Sequence, residues 1–230
     1  IEQLEYELLQ PNNILVEGNC DKKYLIELGN YFGFKVPNIE SLNGADNALK
    51  FLDFYDSYYS NNVSSYKPKV KVLFDNDSKG REIYQKVIAK KYVHLEVEAA
   101  LLSNYLNTAD KNIVNNITNN EIEDFLYPEV ICTLINMLLS KRGMKKISEA
   151  KVCKAIKTKS FRDKGILELC EHEKNISNPD NGAEISFVSS GAATNRVKEG
   201  LAGLFNIHAN PSMLLSASPI SSSASNTLLD

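Results

Sequence analysis

Over its first hundred residues the chain alternates short apolar runs with stretches whose apolar residues recur at helical spacing. The run Asn13-Ile14-Leu15-Val16 predicts a strand, and Tyr24, Leu25, Leu28, Tyr31 and Phe32 fall on one face of a helix over residues 21–32, with Asp21 as its N-cap. A short strand over 35–41 and an Asn43-Gly44 turn lead to a helix over 45–59 whose Leu49, Leu52, Phe54 and Tyr55 belong to the core. After a polar loop, Val70-Lys71-Val72-Leu73-Phe74 predicts another strand. It is followed by a helix over 78–91, with Ile83, Val87 and Ile88 inward and Lys79, Arg81, Lys86, Lys90 and Lys91 outward, and then by a strand over 94–101.

Strand and helix alternating in this way predict an α/β fold, a mostly parallel sheet flanked by helices and joined by right-handed crossovers. The stretch 104–120, rich in Asn, Thr and Asp, is a loop or insertion, and the pattern after it is helical, over 120–141, 148–157, 161–173 and 193–205. Ser148 can cap the second of these, and Pro179-Asp180-Asn181-Gly182 marks a turn within 175–182. The expected organisation is an α/β core over 1–118, a helical part over 119–208, and a loosely ordered Ser/Ala-rich tail over 209–230.

Two strands end in carboxylates. Val16 is followed by Glu17-Gly18-Asn19-Cys20-Asp21, and Phe74 by Asp75-Asn76-Asp77-Ser78-Lys79-Gly80. In open parallel sheets ligands collect outside the carboxyl ends of the strands, so Glu17, Asp75 and Asp77 are expected to converge there. Gathered carboxylates repel one another unless a cation sits among them, and hard oxygen donors suit Mg²⁺ or Mn²⁺. A third acidic group, Glu121-Ile122-Glu123-Asp124, opens the helical part. Acids in the first turn of a helix also favour its macrodipole, so Glu121 and Glu123 admit both roles.

Composition narrows the field. With 230 residues, 43% apolar and 24% charged, the chain has an ordinary globular composition, enough for one core with a small accessory bundle. No apolar run approaches the ~20 residues that span a bilayer and no signal-like segment opens the chain, so no membrane partner and a cytoplasmic location are expected. The four cysteines and three histidines are scattered without a CxxC, which argues against structural zinc. Cys20 lies beside the acids, which raise a thiol's pKa, so it is expected to be a packing residue. The net charge of -3 argues against a broad basic DNA-binding face, leaving a local basic groove or one supplied by a partner. There is no GxxxxGK[ST], GxSxG, HExxH or GxGxxG after a strand, which sets aside P-loop, hydrolase-elbow, zincin and dinucleotide chemistry.

The segments Val16-Glu17-Gly18-x-x-Asp21, Asp75-x-Asp77 and Glu121-Ile122-Glu123-Asp124-Phe125-Leu126 resemble the TOPRIM domain, and within it the nucleases of the OLD (overcoming lysogenization defect) type. The resemblance runs from about residue 12 to residue 169, and it implies a TOPRIM-like Rossmannoid core with a C-terminal helical extension. It implies metal binding by Glu17, Asp21, Asp75, Asp77 and Glu123, with Glu121 the weaker candidate, and two Mg²⁺ or Mn²⁺ ions serving an endonuclease that hydrolyses DNA phosphodiesters. Glu17, Asp75 and Asp77 are the expected catalytic acids. These nucleases also use a lysine from the helical region; Lys164 is the choice here, with Lys151 and Lys154 as alternatives, and Lys79 and Arg81 are further phosphate-contact candidates. The resemblance implies a role in defence against phage or mobile DNA beside an ATPase domain or subunit, or alternatively a reverse transcriptase. The opening Ile1 and the amphipathic run after it suggest a piece of a longer chain, and a homo-oligomer stays open. The rival expectation is a non-catalytic TOPRIM-like module that binds nucleic acid or a partner; a small-nucleotide phosphohydrolase or nucleotidyltransferase is third.

Overall fold

The computed structural model describes residues 9–61, 66–102, 119–126, 128–157, 165–188 and 192–208. The expected alternation is present as β1 (Asn12–Val16), α1 (Asn19–Phe32), β2 (Asn38–Ser41), α2 (Asn47–Asn61), β3 (Lys69–Phe74), α3 (Ser78–Ala89) and β4 (Glu96–Leu101). The four strands form one all-parallel sheet in the order β2-β1-β3-β4. Parallel sheets are covered on both faces, which is why their strands carry near-continuous apolar runs. Ile14, Val16 and Leu73 face a core shared with Tyr24, Leu25 and Leu28 of α1, whereas Leu15, Val72 and Phe74 face Leu52 and Tyr55 of α2 and Ile83 and Val87 of α3.

Beyond β4 the described chain holds a 3-10 turn, Ile122–Phe125, then α4 (Pro128–Lys141), α5 (Glu149–Lys157), α6 (Ile166–Ser177) and α7 (Ala192–His208). Ile122, Phe125, Ile131, Leu167 and Phe205 belong to the same core as Ile14 and Tyr24, so the helical part packs on the α1 face of the sheet. Tyr24 and Phe205 meet edge to face, ring centroids 5.2 Å apart.

Several local expectations are corrected. The helix expected over 120–141 is broken: the 3-10 turn ends at Phe125, and α4 starts at Pro128, where a proline's fixed φ and missing N–H suit the first helical position. Asp21 is not the N-cap of α1. The helix begins two residues earlier, and Asp21 reaches back to accept the Gly18 N–H at 2.7 Å. Ile88 and Phe54, expected inward, are exposed. Helix α6 runs on to Ser177, through the start of the expected turn. The Asn43-Gly44 turn is present, with both residues at positive φ, and the Gly44 N–H donates to the Glu17 carbonyl at 2.8 Å. The loop 104–118, Lys164 and the tail 209–230 lie outside the described residues.

Candidate acidic centre

The strand order decides where the acids go. The crossover after β1 runs to β2 on one side and the crossover after β3 runs to β4 on the other, so a crevice opens between the carboxyl ends of β1 and β3. Val16 is in register with Leu73, which brings Glu17, just past β1, beside Asp75, just past β3. Glu17 Oε1 accepts the Asp75 N–H at 3.0 Å. Gly80 at the start of α3 seals the arrangement, since a Cβ there would sit 2.1 Å from the Asp75 carbonyl oxygen and 3.0 Å from Glu17 Oε1. Only a residue without a side chain permits that approach.

Asp77 caps α3, its Oδ1 accepting the Gly80 N–H at 2.6 Å, so this acid has a structural duty as well as a place beside the crevice. The intervening Asn76 forms an antiparallel bridge to Asn120, with N–H to carbonyl distances of 2.9 and 3.2 Å. This bridge docks the Glu121-Ile122-Glu123-Asp124 segment against the end of β3. Arg81 reinforces it, donating to the Asn76 carbonyl at 2.7 Å and to Asn119 Oδ1 at 3.3 Å. Arg81, considered as a phosphate contact, therefore has a positioning role, and Lys79 is paired with Asp46 at 2.7 Å.

Asp124 joins the acidic turn to α6 by accepting the N–H groups of Glu121 at 2.9 Å and Ile166 at 2.6 Å. A Cβ on Gly165 would fall 2.0 Å from its carboxylate, so the glycine is again a matter of space.

Glu17, Asp21, Asp75, Glu121 and Glu123 thus come into one electrostatic neighbourhood. Burial, together with the charges of Asp77, Asp21 and Glu121, pushes Glu17 up to about 8. Burial pushes Glu123 up to about 8 and Asp21 up to about 6, and holds Asp75 well above the usual carboxylate range, with the Asp21 and Glu17 charges adding to it. Cys20, raised to about 12 by burial and by the Glu123 charge, is no nucleophile.

Among the described residues, the lysine that enters this site is Lys198 of α7, whose Nζ lies 2.5 Å from Glu121 Oε2. Burial lowers its pKa, but the Glu123 and Glu121 charges outweigh that and hold it above the ordinary lysine value. Lys198 sits 97 residues beyond Leu101, the end of β4, in an amphipathic helix that gives no local sign of it. The alternatives Lys151 and Lys154 are exposed, and Lys151 pairs with Glu173 at 3.5 Å.

The donor set fits a hard divalent cation: all oxygen and strongly anionic, with Glu17, Asp21, Asp75 and Glu123 shifted toward their protonated forms chiefly by burial. The buried Glu123 Oε1 and Tyr24 Oη have no hydrogen-bond partner among the described residues. A void of about 10 Å³, the size of one water or ion, lies beside Asp21 and Asp75 against Val16, Leu73 and Ile122. As they stand, no three of the described acids surround a single point closely enough to ligate one ion.

The fold and site together define an α/β protein with a parallel four-stranded sheet and an acidic centre at its topological switch point. Comparison with protein-family models, curated proteins and solved structures returns no match. Among the described residues no helix is long and apolar enough to cross a membrane.

Proposed function

We propose that the chain is a metal-dependent nuclease of the TOPRIM type, similar to the OLD nucleases, that hydrolyses DNA phosphodiester bonds. The observation that carries this reading is the meeting of Glu17 and Asp75 at the β1–β3 crevice, with Glu121, Glu123 and Lys198 brought in from the helical part. Glu17, Asp21, Asp75, Asp77 and Glu123 would hold Mg²⁺ or Mn²⁺, and Glu121 shares its carboxylate with Lys198. The bound ions would neutralise phosphate charge and make a water nucleophilic at neutral pH. Among the chain's own groups, Lys198 stays protonated in this surround and is the cation suited to a phosphate oxygen as negative charge builds on it. In this reading it serves the role for which the resemblance offers Lys164, a residue outside the described part of the chain.

By the same resemblance the setting is defence against phage or mobile DNA in the cytoplasm, beside an ATPase or reverse-transcriptase partner. Plasmid cleavage with Mg²⁺, Mn²⁺ or EDTA, beside an Asp75→Ala/Asp77→Ala variant, tests the reading. Cutting that needs metal and vanishes in the variant is expected; cutting that survives in EDTA or in the variant overturns it. A binding module is the second reading, favoured by the engagement of Glu121 by Lys198 and of Asp77 by Gly80. It predicts DNA binding without cleavage under every metal.

A further inference from the structure

We infer that the turn joining α4 to α5 is a docking surface for the phosphodiester backbone of a nucleic acid, displaying Lys141, Arg142, Lys145 and Lys146 as preorganised phosphate contacts. This deepens the nuclease reading and rests on it for the identity of the polyanion.

Four cations occupy six consecutive positions in a chain whose net charge is -3. All four are exposed, and none has an acidic partner among the described residues. In the α/β half Lys22, Lys69, Lys71, Lys79, Lys86 and Lys90 each pair with an Asp or Glu, and the remaining Lys23, Lys35, Lys50, Lys67 and Lys91 are spread over separate parts of it. Four uncompensated cations within six positions make this turn a concentrated local basic surface, of the kind that the overall charge had left open.

The turn is also held in place. Gly143 ends α4 at a φ of 68°, and the buried Met144 and Ile147 anchor the chain to the core on either side of Lys145 and Lys146. Two asparagines then grip alternate residues in both directions. Asn178 Oδ1 accepts the Lys145 N–H at 2.7 Å while its amide donates to the Lys145 carbonyl at 3.0 Å. Asn136 does the same for Ile147, at 2.7 and 3.1 Å. A loop built only for solubility needs no such clamp; fixing the backbone removes part of the ordering cost of binding.

Beside the turn runs a groove of about 420 Å³ lined by Thr133, Asn136, Met137, Ser140, Lys141 and Lys146. The ammonium groups of Lys141 and Lys146 in its lining suit phosphate oxygens. The turn lies one length of α4 from the acidic 3-10 turn, about 20 Å, or about six phosphates along a strand. The surface would therefore grip substrate away from the bond being cut.

The test is fluorescence anisotropy of a labelled DNA duplex in EDTA, with an otherwise unchanged Asp75→Ala chain as reference and Lys141→Gln, Arg142→Gln, Lys145→Gln and Lys146→Gln combined in it. Expected is a dissociation constant raised at least about tenfold, with the slope of log K against log salt reduced by about three to four. Because all four side chains are exposed, the melting temperature should not move; Lys145→Glu/Lys146→Glu is a second, smaller variant with the same expected direction. An unchanged affinity and salt slope in both variants overturns the inference. An RNA duplex arm separates the two sources of backbone, and loss of binding to either supports it. Retained duplex binding with loss of binding to phosphatidylserine vesicles overturns it. Binding is read without cutting, so a chain that never cleaves can still uphold this surface while the nuclease reading fails, and a chain that cleaves normally with all four cations removed does the reverse.

Discussion

Lys198 Nζ and Glu121 Oε2 meet at 2.5 Å although 77 residues separate them in the chain. This pair ties α7 to the acidic turn and brings a half-buried ammonium to the carboxylates at the sheet edge. If the ammonium stabilises phosphate charge, Lys198→Gln should lower metal-dependent cleavage by about a hundredfold or more under single-turnover conditions. Lys164→Gln should leave the rate unchanged. The opposite ranking of the two variants would return the role to Lys164.

Asp77 carries two duties that substitution can separate. Asp77→Ala removes both the α3 cap and a carboxylate, and should cost about 1 kcal/mol of stability together with cleavage. Asp77→Asn keeps an oxygen for the Gly80 N–H, so its denaturant midpoint should match the parent while cleavage is lost. An Asp77→Asn chain that cuts normally would reduce Asp77 to a helix cap.

Gly80→Ala should be among the most damaging single-methyl changes in the chain. The new Cβ would meet backbone at 2.1 Å, which cannot yield as a flexible side chain would. Overpacking of this kind costs about 1–3 kcal/mol, and the displaced strand end should carry Glu17 and Asp75 apart. The expected result is a lowered urea midpoint with cleavage abolished; a variant as stable and active as the parent would contradict the tight seal.

Metal-free stability should fall as pH rises, the reverse of ordinary acid denaturation. Glu17 and Glu123 keep their protons up to about 8 in the fold against 4.5 in the free side chain, with burial the main cause for both. Between those values the unfolded chain has released protons that the native chain still holds, so the unfolding free energy declines with pH. The melting temperature of the EDTA-treated chain should therefore be lower at about pH 8 than at about pH 5, and Mn²⁺ should raise it most at the higher pH. A melting temperature that climbs over this window, or ignores Mn²⁺, would remove the electrostatic argument for a cation site.

Much of this protein could be read along the chain because the information was local. A strand buried on both faces must be apolar throughout, and a helix with one buried face must repeat at 3.6 residues, so β1, α1, β3 and α3 were legible within a residue or two. Acids placed immediately after strands had to emerge at the carboxyl edge of whatever sheet those strands formed, which made Glu17 and Asp75 legible too. Helix starts were less so. Asp21 has the chemistry of an N-cap, but Gly18 took that position and Asp21 reached back from the first turn, a choice made by the chain's exit from β1.

The order β2-β1-β3-β4 is a different kind of fact. Nothing in the periodicity states which strands are neighbours, and only their pairing put Glu17 against Asp75 rather than one strand away. Likewise the Asn76–Asn120 bridge, which docks the second acidic segment, joins two polar residues with no pattern to announce them. Lys198 is the clearest case. A lysine's sequence surroundings say whether it lies on a helix, but which charge it meets depends on how α7 packs against α1 and α4, and that is decided by apolar contacts distant in sequence.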